Sequence, residues 1–324
     1  MKKAAAKHDI NQHCHFLHMV ISGDWSSDAQ MRRLNVSTND ERKYFHARFV
    51  ILGTGYYDYE EPLAVTIPGM ENFKGTIVHP QFWPGDLEYK DKKVVEIGSG
   101  ATAITLILNL AEKVERMTML QRSPSYVMSL LQPTKDSWAR SWLPNWMLSR
   151  LARTQFLIIS FIFRFCRAFP NAAKSILRSE TMKQFPANVP HDPHFKPFYN
   201  PWEQRLCLCP DGDFYKSLRH GKADVVIAHI ETVAKHGILL KSGQSLDADI
   251  IVTATGLKIQ LAGGIKLFVD GTQMGFSSKF VWIFAMLQDL PNHRLHQCFL
   301  DTRRRYHDHS YMPAHKIHEE QQHH

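Results

Sequence analysis

Cysteine is scarce in this chain. The five residues, Cys14, Cys166, Cys207, Cys209 and Cys298, are odd in number and without framework spacing, which argues against a disulfide-stapled secreted scaffold and suits the reducing cytoplasm. Long apolar runs are also missing. The most hydrophobic stretch, Phe156 to Phe163, stops at Arg164, far short of the roughly 20 residues needed to cross a bilayer. It is expected to form a core helix, with a helix resting on a membrane surface as the less favoured alternative. Lys2 and Lys3 follow Met1 with no apolar signal-peptide core behind them, and no solenoid-type repeat is visible. The formal charge of +8 and pI near 9.2 favour anionic partners. Yet no basic run alternates with aromatics as in RNA- or DNA-binding modules, so nucleic acid is not expected as a partner.

What is present is enough apolar material for two ordinary domains: 324 residues, 44% of them hydrophobic and 22% charged. His15 to Ile21 and Tyr44 to Leu52 read as strand fragments resembling a hairpin, separated by a polar stretch from Gly23 to Glu41. Ala47 to Leu52 enters Gly53-Thr54-Gly55, as a buried parallel strand enters a tight turn. Lys93 to Ile97, Gly98 to Gly100, Ala101 to Ala111 and Thr118 to Leu120 spell strand, turn, helix and strand, a βαβ unit. From about 125 to 200 this rhythm breaks, with Trp138, Trp142, Trp146 and prolines interspersed, and a helical insertion is expected. Val225 to Ile227, Gly237 to Lys241 and Ile250 to Thr253 restore strands, with Ser242-Gly243 turning a hairpin.

The chemistry concentrates in Gly98-Ser99-Gly100-Ala101-Thr102-Ala103, which follows a strand and opens a helix. Such a turn brings a dinucleotide pyrophosphate against helix N-terminal amides. Ala103 stands where the third glycine would, as close helix-strand packing permits. A tight turn without ligand is the competing reading. The next strand ends at Gln121-Arg122-Ser123, where an NAD site would place a carboxylate for the ribose hydroxyls. Arg122 offers a positive fork instead, with Ser123 as a hydroxyl donor, which selects NADP over NAD.

Phe73-Lys74-Gly75-Thr76-Ile77-Val78-His79-Pro80-Gln81-Phe82-Trp83-Pro84 resembles the fingerprint FxGxxxHxxxW[PD] of the Baeyer-Villiger branch of flavin-containing monooxygenases, matching at Phe73, Gly75, His79 and Trp83. It precedes the glycine turn, as in that family. Asp249 to Gly256, ending in Ala254-Thr255-Gly256, and the earlier Gly53-Thr54-Gly55 resemble the family's strand-to-turn crossings between its FAD and NADP domains. Tyr199-Asn200-Pro201-Trp202 and Gly53 to Tyr59 are most similar to the subgroup that activates ethionamide. The resemblance implies an α/β fold of two Rossmann-like dinucleotide-binding domains, with FAD and NADP as cofactors. It implies a remnant of the FAD domain and linker at 1–85, an NADP domain at 86–260 carrying the insertion, and a return to the FAD domain at 261–292. His79 and Trp83 would lock the linker. Arg205, in Pro201 to Cys207, would be the fixed cation that stabilises the negative charge built up when reduced flavin meets oxygen. The implied reaction inserts one oxygen atom from O2 into a ketone, or oxidises sulfur or nitrogen in a small, for example thiocarbonyl-type, substrate.

The chain departs from that pattern at both ends. No GxGxxG turn precedes residue 53, so the FAD domain is expected to be incomplete, and an NADP-binding fragment without catalysis is the alternative. Residues 293–324, rich in His, Arg and Gln, match no part of the family and are expected to be disordered, as in an off-frame or incomplete gene product. His307, His309, His315 and His318 could chelate, but without a scaffold no metal site is expected. Cys207 and Cys209 are expected as strand positions and not as ligands.

Overall fold

The computed structural model describes residues 2–39, 41–130, 144–185, 190–204, 206–210, 212–275, 279, 281–282, 286–291 and 293–295. Helix α1 (Lys2–Lys7) precedes strands β1 (Met19–Ser26), β2 (Met31–Thr38), β3 (Glu41–Ala47), β4 (Val50–Leu52) and β5 (Thr76–Val78). Then come β6 (Lys93–Ile97), α2 (Ala101–Leu110), β7 (Arg116–Gln121), β8 (Tyr126–Leu130), α3 (Asn145–Ala168), α4 (Pro170–Met182), β9 (Leu206–Pro210) and α5 (Asp213–Arg219). The chain continues through β10 (Ala223–Ile227), β11 (Ile230–Ala234), β12 (Gly237–Leu240), β13 (Ser245–Asp247) and β14 (Ile250–Thr253). It closes with β15 (Lys266–Val269), β16 (Thr272–Gln273), β17 (Val281–Trp282), β18 (Met286–Leu287) and β19 (His293–Leu295).

Among the described residues these elements form two compact units, one of residues 2–59 with 259–295, the other of 60–258. The crossings therefore fall at 59/60 and 258/259 and not at the expected 85/86 and 260/261. The fingerprint segment lies within the second unit because Thr76 to Val78 is a strand: β5 pairs in parallel with β14, Val78 opposite Val252.

In the second unit, five parallel strands run in the order β10-β7-β6-β14-β5. Side chains of alternate strand residues point to opposite faces, and two cores follow. Val94, Met117, Met119, Ile250 and Val252 meet Ala103, Ile104 and Ile107 of α2 and Phe214, Tyr215 and Leu218 of α5. On the other face Val95, Ile97, Leu120 and Ile251 pack against Val233, Ile238 and Leu240 of the antiparallel sheet β11-β12-β13. Burial on both faces is why these strands read as continuous apolar runs. The expected βαβ unit is confirmed, and so is the hairpin, in which Leu240 caps the turn by accepting from Gly243 N–H at 2.8 Å.

The insertion contains α3 and α4, as expected, and is bracketed by a parallel strand pair, β8 near its start and β9 just beyond its end. Cys207 and Cys209 are buried strand residues of β9. The run around Phe156 does not form a core helix. It belongs to the 24-residue α3, where Leu157 and Phe161 are each 70% exposed. Trp138 and Trp142 lie outside the described residues.

The first unit contains the sheet β16-β15-β1-β2-β3. Gly23 to Glu41 is not a polar connection but holds the end of β1 and all of β2. Its inward positions include Arg32 and Thr38, whose polarity hides the alternation. Tyr44 to Leu52 is likewise two strands: β3 pairs with β2, whereas β4 pairs in parallel with β19. His293 to Leu295 is thus a strand, while the remainder of the tail and its histidines lie outside the described residues. Among the described residues no helix is long and apolar enough to cross a membrane and no metal-binding cluster forms.

Candidate functional site

The expected dinucleotide turn sits at the carboxyl ends of parallel strands, the position where open α/β sheets bind ligands. Gly98 leaves β6 with φ 154°, and a Cβ there would lie 2.4 Å from the Ala254 carbonyl oxygen, so only glycine fits between the ends of β6 and β14. Its N–H donates to Leu120 O at 2.9 Å, which ties the turn to the end of β7. Ser99 is buried, and its hydroxyl lies 3.3 Å from the Ser125 hydroxyl, which donates to it. Gly100 caps α2 in an extended conformation with no side-chain capping bond. The first helical amides are left for another acceptor. Ala101 and Thr102 are exposed at that end, whereas Ala103 is fully buried in the core under the helix. Close packing is therefore the reason for alanine at the third glycine position.

Arg122 is exposed one residue beyond β7, with half-buried Ser123 beside it. The register Ile97 to Leu120 sets this strand end next to the glycine turn. Gln121 is buried and donates from Nε2 to His194 O at 2.8 Å, anchoring the segment from which Arg122 projects. Neither this support nor that of Ser125 was foreseen, since single polar residues after a strand carry no pattern.

The fingerprint residues act on the same sheet edge. A Cβ on Gly75 would meet Asp249 O at 2.1 Å, and the Phe73 ring folds back over it into the second core. His79 Nδ1 accepts from Gln81 N–H at 3.3 Å. Its Nε2 must then carry the proton, and it donates to Gly256 O at 3.2 Å. His79 thus pins the Thr255-Gly256 turn, where Gly256 has φ 133°, beside the end of β5. Trp83 packs against the α2-side core, edge-on to Tyr89 at 6.1 Å. Both residues secure structure inside the second unit.

Gly98, Ser99, Gly100, Ala101, Thr102, Ala103, Arg122 and Ser123 are therefore brought together, with Thr255 and Gly256 at the end of the neighbouring strand. Gly53, Thr54 and Gly55 belong to the first unit. There Gly55 has φ 71°, and Thr54 lies so near Gly263 that a Cβ on the glycine would be 3.1 Å from it. Arg205 lies outside the described residues. Its segment holds Trp202 at φ 69°, a strained conformation for a bulky residue, supported by an edge contact to Phe163 at 5.5 Å.

The electrostatics beneath the site are unusual. Glu96, on β6 two residues before the turn, is fully buried with neither carboxylate oxygen hydrogen-bonded among the described residues, and burial holds its pKa well above the usual carboxylate range. Tyr126, which donates to Tyr199 O at 2.9 Å, is pushed up to about 12 by burial, with Tyr199 and Glu203 adding to it.

A family model described as flavin-binding monooxygenase-like matches residues 1–162. The chain is 40% identical over 297 residues to the FAD-containing monooxygenase EthA of Mycobacterium tuberculosis, covering 90% of this chain and 60% of the relative. EthA of Mycolicibacterium smegmatis is 38% identical over 296 residues, with the same shares. The chain thus spans about three fifths of the length of these relatives. Cyclohexanone monooxygenase from Rhodococcus sp. Phi1, solved with NADP+, superimposes with a TM-score of 0.64 at 20% identity, over 91% of this chain and 63% of that one. Polycyclic ketone monooxygenase from Thermothelomyces thermophila gives 0.67 at 17%, over 90% and 57%. The α/β fold is that of these proteins.

Proposed function

Because this chain belongs to the flavin-binding monooxygenase-like family, we propose that its second unit binds NADP for an FAD- and NADPH-dependent monooxygenase. The observation that carries this reading is the α2 N-terminus, uncapped by any side chain, with exposed Ala101 and Thr102 and with Arg122 at the adjoining strand end. These residues fit a dinucleotide carrying a 2′-phosphate. The amides of Ala101, Thr102 and Ala103 would face the pyrophosphate, and Arg122 with Ser123 would hold the 2′-phosphate that a carboxylate would repel. Thr255, Gly256 and His79 fix the neighbouring strand end, so the nicotinamide half meets a surface set in advance. Arg205 is proposed as the cation near the reacting groups.

The cofactor pair supplies hydride transfer and oxygen activation, while protein groups bind, orient and exclude water. The proposed overall reaction places one oxygen atom from O2 into a ketone, or onto sulfur or nitrogen of a small substrate such as a thiocarbonyl compound. The proposed location is the cytoplasm. The ketone monooxygenases that share the fold include one solved with cyclohexanone, which supports the substrate class. A second reading, an NADP-binding fragment without catalysis, is favoured by one observation. Among the described residues of the first unit, no strand runs through a glycine turn into a helix, so Gly53, Thr54 and Gly55 alone do not make a cradle for FAD pyrophosphate.

Visible absorbance of the purified chain with and without FAD, followed by NADPH-dependent bleaching, separates the two. Bleaching supports the monooxygenase reading, and a colourless chain that still binds NADPH supports the fragment. In either case Arg122→Ala should weaken NADPH binding about 10- to 100-fold, from the loss of a charge-assisted contact, and leave NADH binding within about twofold. Equal losses for both nucleotides would remove Arg122 from the 2′-phosphate site.

A further inference from the structure

The exposed side of α3 is a feature that nucleotide binding does not use. The helix has 24 residues, so it is about 36 Å long. One side is committed to the fold: Cys166 is buried, and Phe163 packs against Trp202. The opposite side is open and mostly apolar, with Arg150 and Thr154 as its polar positions. Leu157 and Phe161 are each 70% exposed, Leu151 is 55% exposed, and Ile158, Ile162 and Phe169 are exposed with them. At about 100° per residue these six positions fall within an arc of about 140°. A side chain that serves a solvated helix would be polar there, because exposed large apolar groups normally occur singly.

Charge identifies what covers this face. The helix carries Arg150, Arg153, Arg164 and Arg167 and no Asp or Glu. On the same wheel Arg153 and Arg164 flank the arc on one edge, within about 40° of Leu157, and Arg150 falls just inside that edge, about 20° from Leu157. The Arg150 guanidinium rests over the Trp146 ring at 5.4 Å, an amphipathic pair suited to a boundary between apolar and charged phases. A broad apolar arc with cations along its solvent-facing edge describes a helix lying in a lipid interface, side chains in the acyl region and guanidinium groups reaching phosphate. A protein partner would require the apolar arc but gives no reason for an exclusively positive edge beside it. We propose that α3 seats this protein on an anionic lipid surface.

The test is co-sedimentation of the whole 324-residue chain with vesicles of phosphatidylglycerol and phosphatidylcholine in equal parts, against phosphatidylcholine alone. The chain should pellet with the first and much less with the second. Replacing Leu157→Asp and Phe161→Asp together, both exposed and thus neutral to folding, should lower partitioning at least about tenfold with an unchanged melting temperature. Arg153→Gln should lower it about fivefold at low salt and less at high salt, while Arg42→Gln on β3 should leave it unchanged. The proposal is overturned if the chain ignores anionic vesicles, or if the double Asp variant pellets like the parent. It is also overturned if that variant only converts an oligomer to a monomer in light scattering, since the face would then join copies of the chain.

Discussion

Glu96 occupies an inward position on the central strand of a sheet whose neighbours in register are Met119 and Val252. Held neutral by burial, it avoids the cost of an isolated charge but leaves two oxygens without partners among the described residues. As pH rises past the ordinary value of 4.5, the unfolded chain ionises Glu96 while the native chain keeps its proton. Its contribution to stability is therefore whole below that value and is lost as pH climbs toward the raised native pKa, by about 1.4 kcal/mol per pH unit. Glu96→Val should raise unfolding free energy at pH 8 by about 2 kcal/mol or more and flatten this slope. Urea denaturation between pH 5 and 8 reads both, and an equal gain at every pH would show that the carboxyl is not the cause. Arg32 poses a similar problem in the first unit: its guanidinium is buried over Trp25 and donates to Pro291 O at 3.2 Å, and burial lowers its pKa. Neither residue announces itself in a sequence, because a charged letter in a strand reads as a solvent-facing position.

At the level of elements, α2 is where packing and ligand binding compete for one helix. Ala103 is enclosed by the sheet, and Ala101 and Thr102, one turn edge away, stay open. Ala103→Leu should destabilise the second unit by about 1–3 kcal/mol through overpacking and weaken NADPH binding by shifting the helix. Ala103→Gly should cost only about 1 kcal/mol and preserve binding. Thermal melts with and without NADPH distinguish these effects, and tolerance of leucine would show that α2 is loosely seated. The elements legible in the sequence were those buried on both faces: β6, β7, β14 and α2 have apolar runs or glycine punctuation. β2 was hidden by Arg32 and Thr38 at inward positions. β5 has three residues and lay inside a motif read as linker. β8 and β9 pair with each other across the two helices of the insertion, so no short-range turn marks them. The glycine turn and Arg122 were legible because their spacing follows from ligand geometry. The bonds from Ser125, Gln121 and His79 were not, since they arise only when distant strands align.

For the whole molecule, each unit encloses its own core: Val50, Leu52, Ala262 and Leu267 in the first, and the two faces of the parallel sheet in the second. Calorimetry should resolve two transitions, and NADPH should raise the midpoint of one by mass action while leaving the other within about 1 °C. A single transition that shifts as a block would mean that the cores melt cooperatively.

The bond from His79 to Gly256 joins residues 177 apart in the chain. On a ribosome adding 5–20 residues per second, roughly 10–35 seconds separate synthesis of the two partners. Until β14 emerges, β5 has no neighbour and its backbone donors stay in water, so the sheet is assembled from its middle outward with its earliest strand fitted last. A nascent chain halted before residue 250 can hold β6, α2 and β7 but not the strand end that His79 pins. Nucleotide capture during synthesis should therefore begin abruptly once that strand clears the tunnel, and not rise gradually as the glycine turn matures.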